Sequence, residues 1–126
     1  MSSALETGKK LVELCRKGKE KEAVNTLYSP KIVSIEPFAG PGGAARQEGL
    51  EAIKAKGEWW EKNNEIHKRE VEGPWPNDDR FIVRFKYDVT SKIGPMAGKR
   101  MTLDETGLYT VKDGKIVQEE FFYSMG

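Results

Sequence analysis

The chain has one cysteine and one histidine among its 126 residues, Cys15 and His67. A lone thiol cannot close a disulfide within the chain, and it fits a reducing compartment. One cysteine and one histidine far apart offer no zinc-ligand spacing, so no metal and no other cofactor is expected. Charge of one sign is also lacking: 21 lysines and arginines stand against 20 aspartates and glutamates. That balance supplies no field for nucleic acid or an anionic membrane, and neither is expected as a partner. No apolar run reaches the ~20 residues of a membrane span. Met1-Ser2-Ser3-Ala4 passes directly into charged residues rather than into the apolar stretch of a signal peptide. Phosphate-loop and GxGxxG patterns and the nucleophile-elbow GxSxG are missing as well. These absences lead us to expect a single cytoplasmic domain over residues 1–126, long enough to bury a core.

The most informative stretch that is present runs from Arg100 to Tyr123. Asp113-Gly114 between two β-favouring runs is a strong hairpin signal. With those two residues as the turn, Val111 faces Ile116, Tyr109 faces Gln118, Gly107 faces Glu120 and Glu105 faces Phe122. Opposed residues share a face and faces alternate, so an apolar inner face is predicted. It carries Leu103, Glu105, Gly107, Tyr109, Val111, Ile116, Glu120 and Phe122. A bulge after Gly114 would turn Glu119 inward instead of Glu120. Acids on an otherwise apolar face need an explanation.

The rest of the chain reads as helix, helix, strand, helix and further strands. Leu11, Val12, Leu14 and Cys15 form a helical stripe in 3–17, with Gly18 placed as a C-cap. A second helix, 19–28, is stopped by Ser29-Pro30. A strand over 31–36 ends at Glu36, which Pro37 holds extended at the mouth of a Gly- and Pro-rich loop. Leu50, Ile53, Gly57 and Trp60 define a helix in 47–64. A charged strand over 66–72 is predicted near an edge. The strand over 80–90 points Phe81, Val83, Phe85, Tyr87 and Val89 to one side and Arg84 to the other. Helices first and an antiparallel sheet after make an α+β domain, in which N-terminal helices pack on a curved, mainly antiparallel sheet.

This order, with Glu36-Pro37 closing the first strand and DGKIVQEEFFY near the end, resembles the nuclear-transport-factor-2-like superfamily. Within it the chain is similar to SnoaL-like polyketide cyclases and ketosteroid isomerases. The resemblance implies a cone-shaped α+β barrel with a pocket for a small apolar molecule. The isomerases carry their general base just before that proline, which here is Glu36. Their oxyanion tyrosine falls on Leu11, and their second donor, a protonated aspartate, falls on Gly107, so a literal ketosteroid isomerase is not implied. The cyclases use an acid and at times a histidine from the sheet, which Glu105, Glu120 and His67 match in type. The Asp-Arg-Asp arrangement of the epoxide hydrolases is disfavoured, since Arg84 points outward.

The candidate catalytic residues are therefore Glu36 and Glu105. Tyr28, Trp60, His67, Phe85, Tyr87, Tyr109, Glu120 and Phe122 are expected to line the pocket. Each acid has a plain structural alternative: Glu36 as a solvated strand end, Glu105 or Glu120 as an acid satisfied by a core partner. Two functions stay open. One is a cofactor-free isomerase or cyclase that moves a proton beside a carbonyl, with Tyr28, Tyr87 or Tyr109 donating to the oxyanion. The other is a non-catalytic ligand-binding or association module. A homodimer is expected through the outer sheet face, where Leu108, Val117, Phe121 and Tyr123 are predicted to lie uncovered.

Overall fold

A computed structural model describes residues 3–40 and 43–124. Pro41 and Gly42 of the Gly- and Pro-rich loop lie outside the described residues. Ser3 caps the first helix, α1 (Ala4–Arg16), by accepting from the Glu6 amide at 3.1 Å. Gly18, at φ 73°, ends it: the Lys19 amide reaches back to the Leu14 carbonyl at 2.8 Å in a left-handed cap. Helix α2 (Glu20–Leu27) follows, and strand β1 (Tyr28–Ile35) starts at Tyr28, earlier than the sequence suggested. After the loop come β2 (Arg46–Glu48), α3 (Leu50–Asn63), β3 (Asn64–Asn77), β4 (Arg80–Ser91), β5 (Arg100–Lys112) and β6 (Lys115–Phe122). The sequence reading contains no β2, because three residues are too few to show a period. It ended β3 at Glu72, whereas the strand continues across Gly73-Pro74 through a shift in register. Proline has no N–H for the ladder and is tolerated at such an irregularity on an edge strand.

The sheet order is β2-β1-β6-β5-β4-β3, antiparallel except where β1 runs parallel to β6. Three helices among the described residues pack against one curved sheet, giving the cone-shaped α+β fold. Leu11, Val12 and Cys15 of α1 join Phe81, Val83 and Phe85 of β4 in the core. Helix α1 comes close because position 8 is glycine: a Cβ there would lie 2.7 Å from the Pro74 side chain. No helix among the described residues is long and apolar enough to cross a membrane.

The C-terminal hairpin turns at Asp113 and Gly114, both with positive φ, as a primed two-residue turn demands. Lys112 pairs with Lys115 and Val111 with Ile116, but Thr110 then pairs with Gln118. Val117 is thus an extra residue on β6, a bulge that reverses which residues face inward beyond it. Glu119 and Phe121 take the inner face. Glu120 and Phe122, expected inside, are turned to the outer face, where Phe122 is 50% exposed.

Candidate functional site

Three neighbouring strands bring the acids together. Alternation along β1 puts Ile32 and Ser34 on the inner face, and Glu36, two residues beyond Ser34, continues that row just past the strand end. On β6 the inner row is Glu119, Phe121 and, past its end, Tyr123; on β5 it is Glu105, Gly107 and Tyr109. Register fixes the neighbours: Ser34 pairs with Glu119, Glu119 with Tyr109, and Glu105 with Phe85 of β4. Helix α3 lies against β1, and its stripe Ile53, Lys56, Trp60 adds a cation to the acids.

Glu119 is 2% exposed and spends both carboxylate oxygens inside the protein. The Tyr28 hydroxyl donates to Oε1, and the Ser34 hydroxyl donates to Oε2 at 2.8 Å. Lys56 Nζ donates to Ser34 Oγ at 2.6 Å and sits 3.5 Å from Glu36 Oε1. The same ammonium lies 5.6 Å from the centroid of the Phe121 ring. Glu36 Oε2 is buried and accepts no hydrogen bond among the described residues. A buried carboxylate oxygen without a donor is costly, and it marks where a donor would bind.

Electrostatics separate these acids. Burial, then the Glu36 and Glu119 charges, push the Glu105 carboxyl from the ordinary 4.5 up to about 7, against the pull of Lys56. Glu36 is also raised, by burial first and by Glu119, while Lys56 opposes the rise. Tyr123, edge-on to Phe38 with centroids 5.4 Å apart, is pushed up to about 12 by burial and by Glu36 and Glu105. Tyr28 and Tyr109 are raised by burial beside Glu119, so both remain neutral phenols.

Of the residues expected at the site, Glu36, Glu105, Tyr28, Phe85 and Tyr109 share this inner face. Tyr109 stacks on Phe81 at 5.0 Å and closes the cone floor. Tyr87 and Trp60, 6.4 Å apart, belong to a second polar knot. There the Tyr87 hydroxyl donates to Glu20 at 3.0 Å, and Arg69 Nε donates to the same carboxylate at 2.9 Å, tying α2 to the sheet. His67 is exposed and bonds to Thr90 Oγ1 at 2.7 Å, away from the acids. Glu120 and Phe122 face outward for the reason given by the bulge. Lys56, Ser34 and Tyr123 are site residues that sequence reasoning missed. For Lys56 the signal was its i+3 and i−4 relation to Ile53 and Trp60; the sequence reading gave that face to Gly57, which is exposed. For Ser34 it was alternation with Glu36.

Two departures from the isomerase pattern have a physical basis. A Cβ at Gly107 would lie 2.7 Å from the Tyr109 ring and 3.2 Å from Phe121, so aromatic rings occupy the place of a donor. Leu11 is a buried core residue. Ser34 and Lys56 have the partners of a serine–lysine nucleophile. However, the Ser34 oxygen is buried and its proton is directed at Glu119, so no attacking hydroxyl is presented. Among the described residues, no three of His, Cys, Asp and Glu gather as a metal-ion site. A groove of about 340 Å³ runs along α3, lined by Gln47, Ala52, Ala55, Lys56 and Trp59. Lys56 is common to that groove and to the acid cluster.

Known proteins of similar sequence and shape agree with this architecture. Residues 3–123 match the sequence profile of the SnoaL-like domain. No functionally curated protein matches the chain. A Mesorhizobium loti protein described as a candidate SnoaL-like polyketide cyclase, with carbohydrate phosphatase as an added name, is 44% identical. The match covers 94% of this chain and 97% of that one, with a TM-score of 0.86. An NTF2-like protein of unknown function from Burkholderia pseudomallei is 17% identical over 98% of this chain and 92% of its own, with a TM-score of 0.75. A candidate polyketide cyclase from Pseudomonas putida is 17% identical over 99% and 94%, with a TM-score of 0.73. At that identity the last two speak for the fold alone. With nearly its whole length matched, the chain belongs to the SnoaL-like domain family.

Proposed function

We propose that the protein is a cofactor-independent acid–base catalyst of the isomerase or cyclase kind, acting on a small apolar carbonyl compound. The Glu36 carboxylate takes a proton from the carbon beside the carbonyl, and Glu105, in its protonated form, donates a hydrogen bond to the oxygen as it becomes an enolate. Glu36 then returns the proton to the rearranged product, so no other reactant is required. The observation that carries this reading is the pair itself: a carboxyl raised to about 7 beside a second carboxylate whose Oε2 lacks a donor. The tyrosines first considered as oxyanion donors are engaged or buried, Tyr28 on Glu119 and Tyr87 on Glu20. That leaves the role to Glu105.

The test is hydrogen–deuterium exchange beside the carbonyl in a panel of small cyclic ketones, followed by NMR in D2O at pH 7. Wild-type protein is expected to accelerate exchange in at least one, and Glu36→Gln to lose about 10²–10⁴-fold of that rate. A second reading, a binding module without chemistry, is favoured by the packing of Tyr109, Phe81 and Phe121 over the cone floor. Exchange no faster than buffer across the panel would leave that reading standing.

The proposal includes a homodimer through the outer sheet face. Register aligns Trp75, Ile82, Leu108, Glu120 and Ile35 in one row across five strands. Trp75, Ile82 and the nearby Phe122 are exposed. The bulge moves Phe121 and Tyr123 out of the stripe first expected and puts Phe122 into it. Phe122→Lys is expected to convert dimer to monomer in sedimentation velocity at micromolar concentration, and a monomeric wild type would remove the proposal. We also infer a cytoplasmic location, which the lone thiol fits because a reducing compartment does not call for disulfides.

A further inference from the structure

The Glu36 charge raises the part-buried Glu105 carboxyl, so where a proton sits on these two acids depends on what stabilises each charge. On the concave face the deciding group is visible. Lys56 is held between Ile53 and Trp60 on α3, and only 19% of its side chain is exposed. Its ammonium is fixed from three sides, by Ser34 Oγ at 2.6 Å, Glu36 Oε1 at 3.5 Å and the Phe121 ring. Ser34 is itself locked to Glu119, so the cation has a defined position and not a range of them. It makes an ion pair with Glu36 and none with Glu105.

We propose that Lys56 is a positioning residue that sets the direction of proton transfer, holding Glu36 as the carboxylate and leaving the proton on Glu105. This deepens the acid–base reading of those two residues and rests on it. The other groups facing the pair cannot make the choice. Glu119 from β6 adds negative charge toward both acids. The Tyr28, Tyr109 and Tyr123 hydroxyls around them remain neutral. Among the described residues, Lys56 supplies the one ion pair to Glu36, and the other cation on this face, Arg69, is paired with Glu20. Without it, the deeper burial of Glu105 is the main difference left between the acids, and the preference for Glu36 as the carboxylate is weaker.

The experiment is a carboxyl-carbon NMR titration of the ¹³C-labelled full chain, wild type beside Lys56→Met, Lys56→Gln and Lys56→Arg. Loss of the charge is expected to raise the Glu36 midpoint by about one to three units, and by more than it raises the Glu105 midpoint. Lys56→Arg should return it toward the wild-type value. In the ketone exchange assay the acid limb of the pH–rate profile should move upward with the Glu36 midpoint, a change that mere loosening of the fold would not produce. A Glu36 midpoint unmoved in a folded Lys56→Met or Lys56→Gln protein overturns the proposal, as does a larger rise at Glu105 than at Glu36. The wild-type titration decides the acid–base reading and the difference between variants decides the role of Lys56, so the two can fail separately.

Discussion

Glu119→Ala is expected to destabilise the protein by about 3–5 kcal/mol. The side chain is 2% exposed, and both its oxygens accept, from Tyr28 and from Ser34. Removing it leaves two buried hydroxyls without their acceptor, each costing roughly 1–3 kcal/mol, and opens a cavity between β1, β5 and β6. It also frees Ser34, the anchor of Lys56. Glu119→Gln keeps the volume but offers one carbonyl oxygen to two donors, and about 1–2 kcal/mol is expected. Urea unfolding followed by tryptophan fluorescence measures both, with the slope checked for constancy. For a domain whose total stability is on the order of 5–15 kcal/mol, the alanine variant should be near the limit of folding at 37 °C. A loss below about 1 kcal/mol for Glu119→Ala would mean that this network does not hold the sheet.

Glu105→Gln should have the opposite sign. A carboxyl raised from 4.5 in the unfolded chain to about 7 in the folded one binds its proton more tightly in the folded state. Below pH 4.5 it is protonated in both states and costs nothing. As pH rises from 4.5 to 7 the unfolded chain releases the proton first, and stability falls. Above pH 7 the full penalty is present, about 2.5 units at ~1.36 kcal/mol each, on the order of 3 kcal/mol. Glutamine resembles the neutral acid and never ionises. The variant should therefore match wild type at pH 4 and exceed it by up to that amount at pH 8, while losing the ability to take or give a proton. Stabilisation together with loss of ketone exchange is the pattern of a functional acid. Destabilisation at pH 8 would make Glu105 a structural partner.

The parts of this site that could be read from the sequence are those that depend on local signals. Period-two alternation placed Phe81, Val83, Phe85 and Val89 inside, and Asp113-Gly114 gave the turn. Glu36 followed from Pro37, which holds the preceding residue extended. Glu105 followed from alternation counted back from the turn, because the bulge lies on β6 and leaves β5 regular. Glu119 against Glu120 could not be decided, because one bulged residue, Val117, reverses every side chain beyond it and nothing in IVQEEFF marks the bulge. Phe121 and Phe122 exchanged faces for the same reason, and the outer stripe changed with them. Lys56 was hidden by chemistry more than by spacing: a lysine on a helix is ordinarily solvated, and only the acids on the facing strands make an inward one stable. Ser34 gained its meaning from that lysine. His67 was weighed because it is the single imidazole, and its strand sits at the sheet edge with that side chain in solvent.

The central claim is that a folded SnoaL-like chain holds the Glu105 carboxyl on the concave face well above the ordinary carboxylate range, so that a large share of it is still protonated near pH 7. The most direct measurement is the wild-type carboxyl-carbon titration between pH 3 and 9. Glu105 is expected to titrate at about 7, with a second inflection where the Glu36 charge is felt. A single Glu105 midpoint at the ordinary 4.5 or below would contradict the account, and with it the assignment of Glu105 as the acid.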